Sequence, residues 1–274
     1  MPDKNKFSRL LRVSTIVPII VLALLAAMIL PIPARLVDIL MVLNLGFAFA
    51  ILLAALCIKK AAQFSLCPPL LVVSTLFNFA INVSAARLIL SGVNFDGHLI
   101  RFAASWFIDS GEIAQLAGGA TIFVLVLAVH TLLIIKGFTR AAKEAAGFTV
   151  DDMPTMLAAI DAELSDGAIG QEEYAARQEV LRQEANFYDS MDRATKFISG
   201  NEIFRLFIIA IIILGGAFIE GLFYAEPSAE QLIDAAKIYI PLVIGNGLLS
   251  MLPAFLVSAA VTILITRAVF SRNQ

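Results

Sequence analysis

The stretch Leu70-Leu71-Val72-Val73-Ser74-Thr75-Leu76-Phe77-Asn78-Phe79-Ala80-Ile81-Asn82-Val83-Ser84-Ala85-Ala86-Arg87-Leu88-Ile89-Leu90 decides the fold. As a helix rising 1.5 Å per residue it crosses the roughly 30 Å hydrocarbon core of a bilayer. Its one charge, Arg87, falls in the last turn. Similar apolar runs occupy residues 13–32, 36–58, 118–135, 203–223 and 238–265. The composition agrees, with 59% hydrophobic and 15% charged residues, against roughly 25% charged in an ordinary soluble domain. The sequence predicts an all-α integral membrane protein of about six transmembrane helices. The first run follows Lys4, Lys6, Arg9 and Arg12, as a signal peptide would. Its apolar stretch is too long for one, Ile32-Pro33-Ala34 is a poor cleavage site, and more spans follow, so an uncleaved helix is expected.

Cytoplasmic loops retain Lys and Arg. An inside N-terminus also places Lys59, Lys60, Lys136, Arg140, Lys143, Arg177, Arg182, Arg193, Lys196, Arg267 and Arg272 inside. The opposite loops carry Asp96, Asp109, Glu112, Glu226, Glu230 and Asp234, with Arg35, Arg101 and Lys237 as their basic residues. Both chain ends are therefore expected in the cytoplasm of a multi-pass protein.

Residues 138–202 break the hydrophobic pattern between spans four and five, dividing the chain into 1–137 (four spans), a cytoplasmic helical insertion and 203–274 (two spans). Met153-Pro154 opens a helix, Ser165-Asp166-Gly167 interrupts it, and a second helix runs from about Gln171 to Ser199 with Gly200 as its stop. This predicts a helical hairpin. Glu173 with Arg177 and Asp189 with Arg193 are spaced i,i+4 in the favourable order, and Tyr174, Leu181, Tyr188 and Met191 form an apolar stripe. The stripe packs either on the short helix through Met156, Ile160 and Leu164 or on another protein. One glycine separates the hairpin from the span beginning near Ile203, a route by which motion in one would reach the other.

Cys57 and Cys67 lie ten residues apart without metal-ligand spacing and are expected to be packing residues. No phosphate-binding loop, His-Glu-x-x-His or nucleophile elbow is present. The chain is expected to have no catalytic residues, metal or cofactor, and not to be an enzyme. A net charge of −2 suggests no nucleic-acid partner.

Polar groups inside hydrocarbon are costly and face other helices or a wet cavity. Ser74, Asn78 and Asn82 share one helix face, with Thr75, Ser84 and Arg87 nearby. They serve either interhelical hydrogen bonding, with Arg87 snorkelling to the headgroups, or the lining of a conduit. In the last span, Gly245, Gly247 and Pro253 loosen the helix, leaving the Leu249 carbonyl without its amide donor. Close packing and a hinge are the alternatives there. His130 stands among apolar neighbours and is expected to be a hydrogen-bonded structural histidine.

Several pieces, in order, resemble the FHIPEP family, the large membrane component of the type III (flagellar or injectisome) export gate. Phe148-Thr149-Val150-Asp151-Asp152-Met153-Pro154 is similar to its F-T-L-D-A-M-P, and Ala159-Ile160-Asp161-Ala162-Glu163-Leu164 to its A-I-D-A-D-L. Asn186-Phe187-Tyr188-Asp189-Ser190-Met191-Asp192-Arg193-Ala194-Thr195-Lys196-Phe197 is similar to its D-F-Y-G-A-M-D-G-A-S-K-F. In span three, Ser74-Thr75-Leu76-Phe77 and Asn82-Val83-Ser84-Ala85-Ala86-Arg87-Leu88-Ile89-Leu90 match T-T-L-F and N-V-A-S-T-R-L-I-L. The resemblance covers nearly the whole chain. It implies a bacterial inner-membrane ring of nine copies around a protein-conducting entrance, energised by the proton motive force. The implied partners are the other export-gate membrane subunits, the export ATPase complex and, where a soluble domain is present, exported protein substrates.

The resemblance carries Arg87, Asp161, Glu163, Asp192 and Lys196 over as matching positions. Three charged family positions are instead Asn78 (family Arg), Asn201 (family Asp) and Asn246 (family Asp). Gly147 replaces a further Arg, and Pro154-Thr155-Met156-Leu157 replaces P-G-K-Q. Asn hydrogen-bonds but does not titrate. Loss of opposite charges together is nearly neutral where loss of one is costly. The gate's shape is therefore expected without its charge relay. Few titratable groups are left within the spans for a relay: His130 is the clearest candidate, with Glu202 and Glu220 near the ends of span five, and Glu202 replaces the Asp only if the helix start turns by about 100°. Family members continue into a large soluble domain, so this chain reads as part of a longer protein or a shortened paralogue. The rival readings are a small-solute or ion transporter using span three and the Gly-Pro segment, and a scaffold that transports nothing.

Overall fold

The structure is a computed structural model that describes residues 18–58, 67–91, 97–108, 112–147, 152–223 and 228–272. Lys4, Lys6, Arg9, Arg12, Lys59, Lys60, Asp96, Asp109, residues 148–151 and Glu226 lie outside the described residues, as do the side chains of Glu220 and Arg272. The described residues form eight helices and no strand: α1 (Pro18–Ile29), α2 (Ala34–Cys57), α3 (Cys67–Leu90), α4 (His98–Ser105), α5 (Ile113–Gly147), α6 (Met153–Ser165), α7 (Gln171–Phe223) and α8 (Ala229–Arg272). Five of them (α2, α3, α5, α7, α8) are long and apolar enough to cross a bilayer. With α1 as the described part of the first apolar run, this matches the expected all-α membrane fold of about six spans.

The chain forms two compact units. The first comprises the chain up to Ala48 with Val73–Thr131 and Asn201–Ala254. Its core joins Val37 and Met41 of α2, Ile81 and Ile89 of α3, Ile100 of α4, Phe123 of α5, Ile212 of α7 and Ile244 of α8. Lipid is as apolar as Leu, so close backbone approach rather than water exclusion drives such helices together. Gly245 shows this directly: a Cβ there would stand 1.9 Å from the Ile100 carbonyl oxygen. At Gly247 it would stand 2.4 Å from the Phe123 ring. Outward-facing Ile39, Val42 and Leu43 of α2 and Ile122, Val124 and Leu125 of α5 remain exposed, as lipid-facing side chains do.

The second unit comprises Phe49–Val72, Leu132–Gly200 and Phe255–Gln274. Within it α6 and the start of α7 form a helical hairpin. Gly167, at φ 73°, closes α6: its amide bonds Leu164 O at 3.1 Å and the next amide, Ala168, bonds Glu163 O at 2.9 Å, a Schellman turn that only glycine enters without strain. Of the two partners open for the apolar stripe, the chain itself supplies cover: Leu181, Tyr188 and Met191 are buried and Met156, Ile160 and Leu164 half-buried. In the same unit Arg267 Nη1 donates to the carbonyls of Leu56 and Ile58 at 2.6 and 3.0 Å, covering the C-terminal end of α2.

Gly200 does not stop the helix. α7 runs unbroken from Gln171 to Phe223, because one glycine costs about 1 kcal/mol in a helix interior and helix-forming sequence continues on both sides. α5 likewise extends to Gly147, so helix ends do not coincide with residues 138 and 202. α8 also stays helical through Pro241 and Pro253 rather than breaking.

Candidate functional site within the membrane helices

Two polar clusters sit inside the first unit. In one, the predicted face of α3 meets α2 and α8. Asn78 Oδ1 accepts from Asn44 Nδ2 at 3.0 Å and from Asn82 Nδ2 at 3.3 Å, and Asn78 Nδ2 donates to the Ser250 carbonyl at 3.4 Å. Asn82 Nδ2 also reaches its own helix at Asn78 O, 2.8 Å away. All three asparagines are buried, so this arrangement is interhelical hydrogen bonding. Asn44 went unrecognised in the sequence, although it is the one amide side chain within the run 36–58.

Snorkelling to the headgroups and the lining of a conduit are the two readings open for Arg87. It donates through Nη1 to the Ile29 carbonyl, covering the C-terminal end of α1, while Ser84 Oγ lies 3.0 Å from Ala27 O. Carbonyls at a helix end have no intrahelical donor and carry partial negative charge, which gives a guanidinium a partner on the protein itself.

The other cluster joins α5, α7 and α8 through charge. Arg205 pairs through Nη2 with the Glu202 carboxylate one turn earlier. The same nitrogen lies 3.0 Å from His130 Nδ1 and 3.5 Å from Thr131 Oγ1. His130 Nε2 lies 3.0 Å from the Met251 carbonyl. A carbonyl only accepts, so Nε2 carries the imidazole proton and Nδ1 accepts from Arg205. Glu202 is 0% and Arg205 3% exposed, and His130 Nδ1 stands 4.0 Å from Glu202 Oε2.

His130 is thus hydrogen-bonded, as expected, but does not stand among apolar groups alone. Glu202 is fully buried beside Asn201, which is buried too, and its carboxylate is engaged by Arg205. Arg205 is the residue the sequence reading missed. Its signal was readable: an Arg three positions after a Glu at the start of an apolar run invites an i,i+3 pair.

The remaining sequence-predicted residues are spread out. Asn201 is buried, as is Asn246, whose Oδ1 makes no hydrogen bond among the described residues. No hydrogen bond joins Asn78 to Asn201 or Asn246 among the described residues. Gly245 and Gly247 serve close packing. Pro253 follows the two carbonyls, Ser250 O and Met251 O, that Asn78 and His130 engage.

In the hairpin, Asp161 accepts from Tyr174 Oη at 2.8 Å, raising the phenol above its ordinary value. Arg177 bridges Glu173 at 2.6 Å and Glu163 at 2.7 Å, which holds the guanidinium protonated. Asp192 pairs with Lys196 at 2.6 Å on α7.

The sequence profile of the FHIPEP family matches residues 24–274. The chain belongs to the FHIPEP family. It is 39% identical over 254 residues, 91% of its length, to the flagellar biosynthesis protein FlhA of Borreliella burgdorferi. It is 38% identical over 92% of its length to FlhA of Treponema pallidum and 34% identical over 91% to FlhA of Escherichia coli K12. The matched regions cover 35–36% of these relatives, so the chain spans about a third of the FHIPEP proteins it resembles. No solved structure matches it.

Proposed function

We propose that this chain is a membrane part of a type III protein export gate, building or regulating the protein-conducting entrance in the bacterial inner membrane. The observation that carries the reading is continuous similarity, over nine-tenths of the chain, to proteins named for flagellar biosynthesis. The Lys/Arg distribution supports cytoplasmic termini and a cytoplasmic hairpin. The partners are the other gate subunits, the export ATPase complex and, through a soluble domain, exported proteins; copies of the chain assemble into a ring of nine. The chain acts by binding and conducting, without catalysis. A solute transporter is not favoured, since it gives the hairpin no role.

The gate reading includes a loss. Asn78, Asn201 and Asn246 are neutral where the family carries charge, and the buried carboxylate among the described residues, Glu202, is engaged by Arg205. An amide does not titrate, so these positions do not carry protons. The chain on its own therefore does not couple export to proton flow. The test of gate membership is affinity purification of the tagged chain from native membranes. Co-isolation of other export-apparatus subunits supports it; isolation alone, together with solute uptake after reconstitution in liposomes, overturns it.

A further inference from the structure

Helix α4 joins α3 to α5, and at 100° per residue it divides into three sectors. Ile100, Ala103 and Ala104 are buried against the core. Arg101, Ser105 and His98 form an exposed polar flank, and Arg101 makes no ion pair among the described residues. Phe102 and Trp106 form the third sector, 60% and 65% exposed, with their rings edge to face at 5.7 Å. Two large aromatics held together in the open, beside a separate polar flank, are not explained by packing within the chain.

The depth of α4 is fixed by three contacts. Asp38 Oδ2 accepts from the amides of His98 at 2.9 Å and Leu99 at 3.4 Å, and Asp38 lies four residues into α2, about 6 Å along its axis. The Ile100 carbonyl rests on Gly245. Gly245 is six residues, about 9 Å, beyond Tyr239, and the Tyr239 ring packs on Gly216 while Leu90, at the end of α3, packs on the adjacent Gly215. Counted from the starts of the apolar runs 36–58 and 238–265, the contacts that hold the start of α4 lie two residues (Asp38) and seven residues (Gly245) in, about 3–10 Å, the depth at which amphipathic helices lie in the headgroup–acyl boundary.

We propose that α4 is an interfacial helix whose Phe102–Trp106 flank is occupied by phospholipid at the headgroup–acyl boundary, with Arg101 on the headgroup side. Trp is enriched at that level because its ring is apolar and its N–H polar. Asp38 acts as the positioning residue that sets the helix's depth. This inference is independent of the export role.

Trp106 is the one tryptophan of the chain, so its fluorescence reports on this site without substitution. The full chain is reconstituted in phosphatidylethanolamine–phosphatidylglycerol vesicles containing lipids that carry a quencher either near the headgroup or at the acyl terminus. The expected result is several-fold stronger quenching by the shallow label, blue-shifted emission and weak quenching by aqueous iodide. Strong iodide quenching with no lipid quenching overturns the proposal in favour of water. Dominant quenching by the deep label overturns it in favour of a spanning position. Lipid quenching that appears only when protein is diluted in lipid assigns the flank to a second copy instead.

Discussion

The guanidinium of Arg205 donates to Nδ1 of His130 across 3.0 Å while pairing with Glu202 on its own helix. A buried charge pair is costly to break and much less costly to remove whole. Glu202→Gln should destabilise the purified protein by about 3–5 kcal/mol, whereas Glu202→Gln with Arg205→Met should recover most of that loss. Denaturation in detergent measures both. Equal destabilisation by the single and double variants would show that the pair is not a unit.

Gly245 tolerates no side chain, because the atom in the way is the backbone oxygen of Ile100 rather than a movable side chain. Gly245→Ala should cost about 1–3 kcal/mol, the usual range for overpacking, and should detach α4, shifting Trp106 emission. An unchanged emission and stability would mean that α4 does not rest on α8 there.

Gly200 presents the opposite case. It lies inside α7 with nothing within 4 Å of a Cβ position, so Gly200→Ala should stabilise by about 0.5–1 kcal/mol through helix propensity. Slower backbone hydrogen exchange around residue 200 is the expected readout. Destabilisation would show that the helix needs a joint at this point.

Membrane sidedness is tested with a single thiol at the hairpin turn. In a background with Cys57→Ser and Cys67→Ala, Asp166→Cys should resist impermeant reagents added to intact cells and label after permeabilisation. Ready labelling in intact cells would invert the topology.

The spans were legible because apolar length is nearly sufficient to specify a membrane helix, and the hairpin because Pro154, Gly167 and the Tyr174-to-Met191 stripe mark its ends and its face. The α3 asparagine ladder was visible from spacing alone. Its partner Asn44 was not, since which neighbour faces α3 is set by packing. Arg205 was passed over inside an apolar run, although its pairing with Glu202 is local. The contact with His130 spans 75 positions and is invisible to periodicity. Gly200 misled because a residue that commonly ends helices was outweighed by helix formers on both sides.

Gate membership and the proposed loss of the relay are tested together by fusing this chain to the soluble domain of a flagellar relative and measuring export in a host that lacks its own copy. The fusion carrying Asn78→Arg, Asn201→Asp and Asn246→Asp should restore export and exceed any single change, while the unmodified fusion should co-isolate with the host's gate subunits yet export poorly. Near-normal proton-driven export by the unmodified fusion would contradict the loss of the relay, and a stably inserted fusion that isolates without those subunits would contradict its place in the gate.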